Sequence, residues 1–271
     1  MYKRQLLDLY DVLRRWNGVG QMEKGRLKLG AVLDEQGNRL EFDHRDDSVA
    51  VALRTPLAPG KPAKVRFEIE GDLLHRPNGD NYWELGTEPW FPQPDMGGQY
   101  YTVHATVKVK KPFKPLAPGR TVRRVEEGDY NLLETRIDKP VQFFVVLAGK
   151  YEWDEETKDG LTIRVASYGG ENRGAYKKLL GLARKSIAYY TPFLGPFPFD
   201  EFNIVEINSY GFGQAPPAFM FITTEAFNPI QGDLNQLFSQ GINERVAPEI
   251  AHQWWGHVVK MPGGDDQWLS E

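Results

Sequence analysis

Strict two-residue alternation of apolar and polar side chains is the feature that most constrains the fold of this chain. From Tyr100 to Lys110, tyrosine, valine and alanine alternate with threonine, histidine and lysine. This period predicts a β-strand with one buried and one solvated face. Further β-rich runs, separated by turn residues, are Val49 to Arg54, Ala63 to Glu70 and Val141 to Ala148. Several short strands of this kind predict an antiparallel, sandwich-like domain.

The pattern changes after the charged stretch from Asp154 to Gly160. Apolar residues then recur at three- and four-residue steps from Tyr176 to Tyr190, which predicts an amphipathic helix that Pro192 stops. The further predicted elements are strands at Leu161 to Ala166, Asn203 to Ile207 and Ala218 to Thr223, and a helix from Asp233 to Val259 interrupted by Pro248. The sequence therefore predicts a β domain over residues 1–155 and an α/β domain over residues 156–271.

Composition excludes several classes of protein. The 271 residues suit one large or two ordinary domains, and 41% hydrophobic with 26% charged residues is the profile of a globular chain. Because 33 Lys and Arg face 37 Asp and Glu, the net charge of −4 argues against a nucleic-acid partner. No cysteine is present, so thiolate metal sites are excluded. No apolar run approaches the roughly 18 residues of a membrane span, and the start lacks a signal core.

Both ends lead us to expect a piece of a longer protein. The opening Met-Tyr-Lys-Arg-Gln resembles a translated adapter sequence, and the chain stops at Glu271 with no helix stop or turn signal. We therefore expect the β domain to be incomplete at its start and the second domain to be truncated.

The candidate catalytic and metal-binding residues lie in the stretch from Glu244 to Glu271. Zinc metallopeptidase motifs of the H-E-x-x-H type place two His ligands on one helix face, a Glu between them as general base, and a more distant acidic ligand. Here Glu249 and His252 occupy the positions of the base and the second ligand, and Pro248 occupies that of the first. Glu-x-x-His alone is a weak signal, because such pairs are more often solvated than catalytic.

The wider segment resembles the signature of the aminopeptidase N family, the gluzincin zinc metallopeptidases that include leukotriene hydrolase. That signature reads H-E-L-A-H-Q-W-F-G, then M, then N-D-L-W-L-N-E. The chain matches it without a gap at Glu249, Ala251, His252, Gln253, Trp254, Gly256, Val259, Met261, Asp266, Trp268, Leu269 and Glu271. The segments Trp90 to Asp95 and Leu194 to Phe199 also look like the family's N-terminal β domain and the entry to its thermolysin-like catalytic domain.

The resemblance implies an N-terminal antiparallel β-sandwich-like domain followed by the start of a thermolysin-like α/β catalytic domain. It further implies one Zn²⁺ per chain, held by His252 and Glu271, and hydrolysis of a peptide substrate with Glu249 as general base. The zinc would lower the pKa of its bound water to about 7. The oxyanion-stabilising tyrosine of the family lies beyond Glu271.

The first departure from the family pattern is Pro248, which has no metal-binding side chain. Loss of one ligand weakens a zinc site on the order of a hundredfold. On a continuous helix His257 lies about 140° from His252 and is a poor substitute. Three interpretations are open: a pseudo-peptidase that lost the ligand, a helix that begins at Pro248, or a sequence error.

The second departure lies in the segment from Gly213 to Pro217. The family has G-x-M-E-N-P here, an edge strand whose Glu holds the substrate's amino terminus, and this chain has no carboxylate at that position. Gly213, Gln214 and Ala215 are weak substrate-binding candidates, and a rigid turn between two strands explains the segment equally well. The functional hypothesis is an aminopeptidase-type zinc metallopeptidase. The alternative is a non-catalytic pseudo-peptidase that binds a peptide or partner protein.

Overall fold

The computed structural model describes residues 4–8, 14–17, 21–24, 27–45, 48–71, 82–85, 90–92, 100–168, 173–208, 213–227 and 245–259. Its strands are β1 (Arg4–Asp8), β2 (Arg14–Asn17), β3 (Gln21–Lys24), β4 (Leu27–Leu33), β5 (Glu41–Arg45), β6 (Ser48–Ala52), β7 (Arg66–Gly71), β8 (Tyr82–Leu85), β9 (Tyr101–Lys110), β10 (Lys114–Leu116), β11 (Arg120–Glu127), β12 (Tyr130–Val141), β13 (Val146–Gly149), β14 (Glu152–Lys158), β15 (Leu161–Ser167), β16 (Glu201–Ile207), β17 (Gly213–Gln214) and β18 (Phe219–Thr223). Its helices are α1 (Arg173–Leu194), the 3-10 turn Thr224–Ala226 and a helix over residues 245–251.

The chain divides into two compact units, the first of which comprises residues 1–75 and 85–100. Its described strands form the sheet β1-β6-β5 and the antiparallel pairs β2-β3 and β4-β7. In β7, half-buried Phe67 and Ile69 alternate with exposed charged residues, so one face of the strand is packed. The buried centre of this unit is a cluster of Leu29, Val32, Leu40, Val49 and Val51.

The second unit comprises residues 76–84 and 101–271. Its first sheet has the order β11-β12-β9, and β9 alternates between half-buried and exposed residues along its whole length. The predicted alternating strand is therefore confirmed. A second sheet has the order β10-β13-β8. The predicted boundary near residue 155 falls within β14 and stays a prediction.

A five-stranded mixed sheet of order β14-β15-β16-β18-β17 forms the centre of the second unit. Strands β15, β16 and β18 run parallel, and nearly every residue in them is buried. Helix α1 packs against one face of this sheet through Tyr176, Leu179, Ala183 and Ile187. The opposite face packs against residues of the β10-β13-β8 sheet, which explains continuous apolar runs in place of alternation.

Two sequence-based boundaries were wrong. Pro192 does not stop α1, which continues to Leu194 and ends at Gly195 with φ of +88°. A proline in the last turn removes one backbone donor, and the Gly195 N–H still closes the helix by donating to Thr191 O at 2.9 Å. The run from Val141 to Ala148 is not one strand, because the chain leaves β12, which pairs with β9, and enters β13, which pairs with β10.

Substitution by alanine is expected to have opposite effects on stability at two glycines. A β-carbon on Gly149 would overlap the Tyr151 ring and lie 2.6 Å from Tyr82 Cβ, so Gly149→Ala should destabilise the fold by about 1–3 kcal/mol. Gly181 lies inside α1 with nothing within 4 Å of an added β-carbon, so Gly181→Ala should stabilise by about 0.5–1 kcal/mol. Urea unfolding of both variants checks this pair, and equal midpoints would contradict the packing described for Gly149.

Candidate active site

The helix over residues 245–251 carries the proposed base and is anchored by its apolar side. Val246 and Ile250, one helical turn apart, are buried in the same core cluster as α1, and Trp254 follows them into it. Glu249 and His252 are half-buried. The packing therefore fixes the helix through its apolar side chains and leaves these two polar side chains partly accessible.

Gln253 ties the end of this helix to the connection between β17 and β18. Its side chain is fully buried, and its Oε1 accepts a hydrogen bond from Ala218 N at 2.8 Å. Its Nε2 donates to Pro216 O at 3.2 Å and to Phe219 O at 3.0 Å. One amide therefore satisfies three backbone groups of a turn in which Ala218 has φ of +60°. The local sequence pattern does not indicate this role of Gln253, because its three partners lie 34 to 37 residues earlier in the chain.

Trp254 makes the corresponding connection to the end of α1. Its indole N–H donates to Gly195 O at 3.2 Å and Pro196 O at 3.0 Å. Its ring meets Phe197 edge-on at a centroid distance of 5.2 Å and Tyr190 at 6.2 Å. Together, Gln253 and Trp254 position the helix 245–251 relative to both β17 and α1.

The carboxyl group of Glu249 lies against the backbone of Gly213 in β17. A β-carbon added to Gly213 would lie 2.8 Å from Glu249 Oε1 and 3.3 Å from Glu249 Cδ. The structure thus brings together the proposed base and one of the proposed substrate-binding residues. Burial raises the pKa of the Glu249 carboxyl group above its usual value, and the nearby His252 opposes that shift.

Pro248 lies inside the described helix. Residues 245–247 are helical before it, and the His252 N–H donates to Pro248 O at 3.0 Å, as in a regular helical turn. The interpretation in which the helix begins at Pro248 is therefore wrong. Pro248 is exposed, so its ring fills no space in the core.

His257 does not lie on a helix, contrary to the prediction of a helix to Val259. The helix ends at residue 251, turns follow, and Gly256 has φ of +106°. His257 Nε2 lies 2.6 Å from Ala215 O, so in its neutral form this nitrogen donates to that carbonyl. Burial lowers the pKa of His257 to about 4, the hydrogen bond to Ala215 opposes the shift, and charge repulsion from His252 adds to it.

The predicted site residues are brought together only in part. Gly213 contacts Glu249, Ala215 accepts from His257, and Gln214 pairs with Phe221 across the β17–β18 ladder. Glu271, the proposed acidic zinc ligand, lies outside the described residues. Among the residues that the structure describes, no group of three His, Asp or Glu side chains is placed to hold a metal ion.

The depressed pKa of His257 predicts a pH dependence of stability. Because the folded-state pKa of about 4 lies below the usual 6.5, protonation favours the unfolded chain. The stability that neutral His257 contributes is complete above pH 6.5 and is lost as the pH falls toward 4, by up to about 3 kcal/mol. Unfolding free energies of the wild type and His257→Gln, measured from pH 7.5 to 4, should differ in slope in this window. Parallel curves would contradict the burial of this imidazole.

No protein-family model matches the chain, but individual known proteins resemble it. Curated relatives include a leucyl aminopeptidase of Saccharolobus solfataricus, 26% identical over 68% of this chain and 23% of its own length. A probable aminopeptidase 1 of the same organism is 26% identical over 98% of this chain and 37% of its own length. A probable M1 family aminopeptidase 2 of Encephalitozoon cuniculi is 25% identical over 68% of this chain and 22% of its own length. The chain therefore spans less than two fifths of these relatives.

Solved structures share the fold. An M1 zinc metallopeptidase from Deinococcus radiodurans matches 99% of this chain and 60% of its own, with a TM-score of 0.70 and 18% identity. A variant of that enzyme bound to a Tyr-Ser-Ala substrate matches with a TM-score of 0.69 at 18% identity, over 100% of this chain and 60% of its own. Legionella pneumophila aminopeptidase A matches 99% of this chain and 32% of its own, with a TM-score of 0.75 and 15% identity. These structures confirm the predicted fold class, and the curated relatives named as aminopeptidases bear out the resemblance to the aminopeptidase N family.

Proposed function

We propose that this chain supplies the β domain and the first part of the catalytic domain of an aminopeptidase-type zinc metallopeptidase. The observation that best supports this function is the carboxyl group of Glu249, which is half-buried and held against β17. The names of the relatives support the same reaction class, since they are aminopeptidases and M1 zinc metallopeptidases.

Glu249 suits the role of general base. A carboxyl group whose pKa is raised by burial accepts a proton more readily near neutral pH than an exposed one. In the proposed reaction it takes the proton of the water that attacks the peptide carbonyl. Gly213 has no side chain, which leaves the carboxyl group close to the strand along which a peptide would lie.

β17 suits the binding of an extended peptide. It is the edge strand of the five-stranded sheet, and β18 is its one neighbour among the described strands. An extended peptide adds to such an edge by main-chain hydrogen bonds. Gly213, Gln214 and Ala215 are the proposed contacts, which would place the peptide backbone beside Glu249.

The same segment supports the alternative function, a non-catalytic protein that binds a peptide. Ala215 and Pro216 provide no carboxylate for a substrate's amino terminus, and Pro248 provides no donor atom for a metal. Binding of a peptide to β17 needs neither group. The choice between the two functions therefore depends on the metal.

The described residues do not by themselves complete a zinc site. A catalytic zinc takes three protein ligands, and here His252 and Glu271 are the two proposed ones. His257 Nε2 donates a hydrogen bond to Ala215 O and therefore does not present a lone pair to a metal ion. Zinc affinity is therefore the measurement that tests the proposal.

We expect Pro248→His to bind zinc on the order of a hundredfold more tightly than the wild type, because it restores a third ligand. Competition with a chromophoric chelator measures both affinities. Pro248→Ala is the matched control, since it removes the ring without adding a donor, and it should bind zinc like the wild type.

The outcomes separate the two functions. In the full-length protein that contains this chain, zinc binding and peptide hydrolysis by the wild type, improved in Pro248→His, support the metallopeptidase. Zinc binding by Pro248→His but not by the wild type favours the non-catalytic alternative. Binding in neither protein contradicts the zinc metallopeptidase proposal.

A second prediction concerns Gly213→Ala in the Pro248→His background. The added β-carbon displaces the flexible end of Glu249, so the unfolding free energy should change by less than about 1 kcal/mol. Peptide hydrolysis should fall by about 10- to 100-fold, because the base moves from its position. Gly181→Ala serves as a control for activity, and an unchanged rate in Gly213→Ala would contradict the role of Glu249.

A further inference from the structure

A second concentration of charged side chains surrounds Trp153, at the start of β14 and away from the helix 245–251. Three cationic groups lie near its indole ring: Arg124 Cζ at 4.8 Å, Lys114 Nζ at 5.1 Å and Arg164 Cζ at 5.9 Å from the centroid. Each lies within the distance at which a cation is attracted to an indole face. The three cations differ in whether a carboxylate of the protein pairs with them.

Arg164 and Lys114 both have carboxylate partners. Arg164 is buried and pairs with Glu155 at 2.8 Å and Glu201 at 3.3 Å, and it also donates to Asn203 Oδ1 at 2.7 Å. Lys114 pairs with Glu152 at 2.6 Å. The charges of these two cations are therefore balanced by the protein itself.

Arg124 differs from them. It is half-buried, and its NH1 donates to Pro115 O at 3.1 Å, but no carboxylate lies within ion-pair distance of it among the described residues. Burial and the neighbouring Arg164 lower the pKa of Arg124 to about 10, and the more distant Glu201 and Glu155 do not offset them. A half-buried guanidinium without a hydrogen-bonded anion is unfavourable.

Arg124 also lines a cavity of about 340 Å³, which we name the Trp153 pocket. Its lining residues are Lys114, Pro115, Arg124, Val125, Glu126, Asn131, Leu132 and Trp153. This volume is at the lower end of the range typical of small-molecule sites. Glu126 at the pocket is neutralised by Lys111 at 2.6 Å, so Arg124 is the lining charge without an ion-pair partner in the described structure.

We propose that the Trp153 pocket binds a small organic monocarboxylate, with Arg124 as its anchor and the Trp153 ring and Leu132 as its apolar wall. The planar guanidinium matches a carboxylate through two parallel hydrogen bonds. A single negative charge balances the single positive charge of Arg124, whereas a phosphate dianion would bring a second negative charge for which the pocket has no unpaired cation. The pocket shares no residue with the proposed peptidase site, so the two proposals stand or fall separately.

Benzoate is the probe, and the full chain labelled with ¹⁵N-tryptophan is the sample. Titration should shift the Trp153 indole resonance, assigned from a Trp153→Phe spectrum, with a dissociation constant on the order of 1 mM. Benzyl alcohol, which has a similar shape without the charge, should cause no saturable shift. Inorganic phosphate should bind at least about tenfold more weakly than benzoate.

Arg124→Gln and Arg123→Gln form the matched pair of variants. Arg123 is the preceding residue, exposed and paired with Glu127 at 2.9 Å, and its loss should leave benzoate binding within about twofold. Arg124→Gln should weaken binding at least about tenfold. Arg124→Lys keeps the charge and should retain weaker binding, which provides a test if the glutamine variant does not fold.

Three results would overturn the proposal. The first is the absence of a saturable shift of the Trp153 resonance with benzoate up to about 20 mM, roughly twentyfold above the expected dissociation constant. The second is equal weakening by Arg123→Gln and Arg124→Gln, which would indicate non-specific charge attraction. The third is phosphate binding as tight as benzoate binding, which would show that the pocket does not prefer a monocarboxylate to other anions.

Discussion

The arrangement of the candidate active site depends on one buried amide, that of Gln253. Its three hydrogen bonds to Pro216, Ala218 and Phe219 are made where water does not reach, and each unsatisfied group there costs about 1–3 kcal/mol. Because these backbone groups lie in the connection from β17 to β18 and in the first residue of β18, the amide also fixes the distance from Glu249 to Gly213. The position of the proposed base is thus a consequence of a structural contact.

This dependence changes what the sequence match means. Gln253 and Trp254 belong to the segment that resembles the aminopeptidase N signature, and both make contacts that hold the fold together. A chain that kept the fold and lost the reaction would need these two residues as much as an enzyme would. The match therefore supports the fold more strongly than the activity, and the metal ligands carry the argument for catalysis.

The sequence predicted what short-range patterns determine. The alternation in β9, the periodicity of α1 and the apolar runs of β15, β16 and β18 each reflect a burial pattern that repeats along one element. The end of the helix at residue 251 was missed because it coincides with long-range contacts, among them the hydrogen bond from Ala218 N to Gln253 Oε1, 35 residues apart in the chain. The contact between His257 and Ala215 is made in the turns after the helix, between residues 42 positions apart, and the local sequence pattern does not predict it either.

Pro248 illustrates how chemistry and fold are separated in this site. It is exposed within the described helix, while the contacts that position the helix are made by Val246, Ile250, Gln253 and Trp254. A change at position 248 therefore alters the set of possible metal ligands and leaves those contacts in place. Pro248 is the fourth residue of the described helix 245–251, where a proline removes no hydrogen bond made within these residues. Whether zinc binds is therefore determined by the side chains at positions 248, 252 and 271, independently of the contacts that hold the fold together.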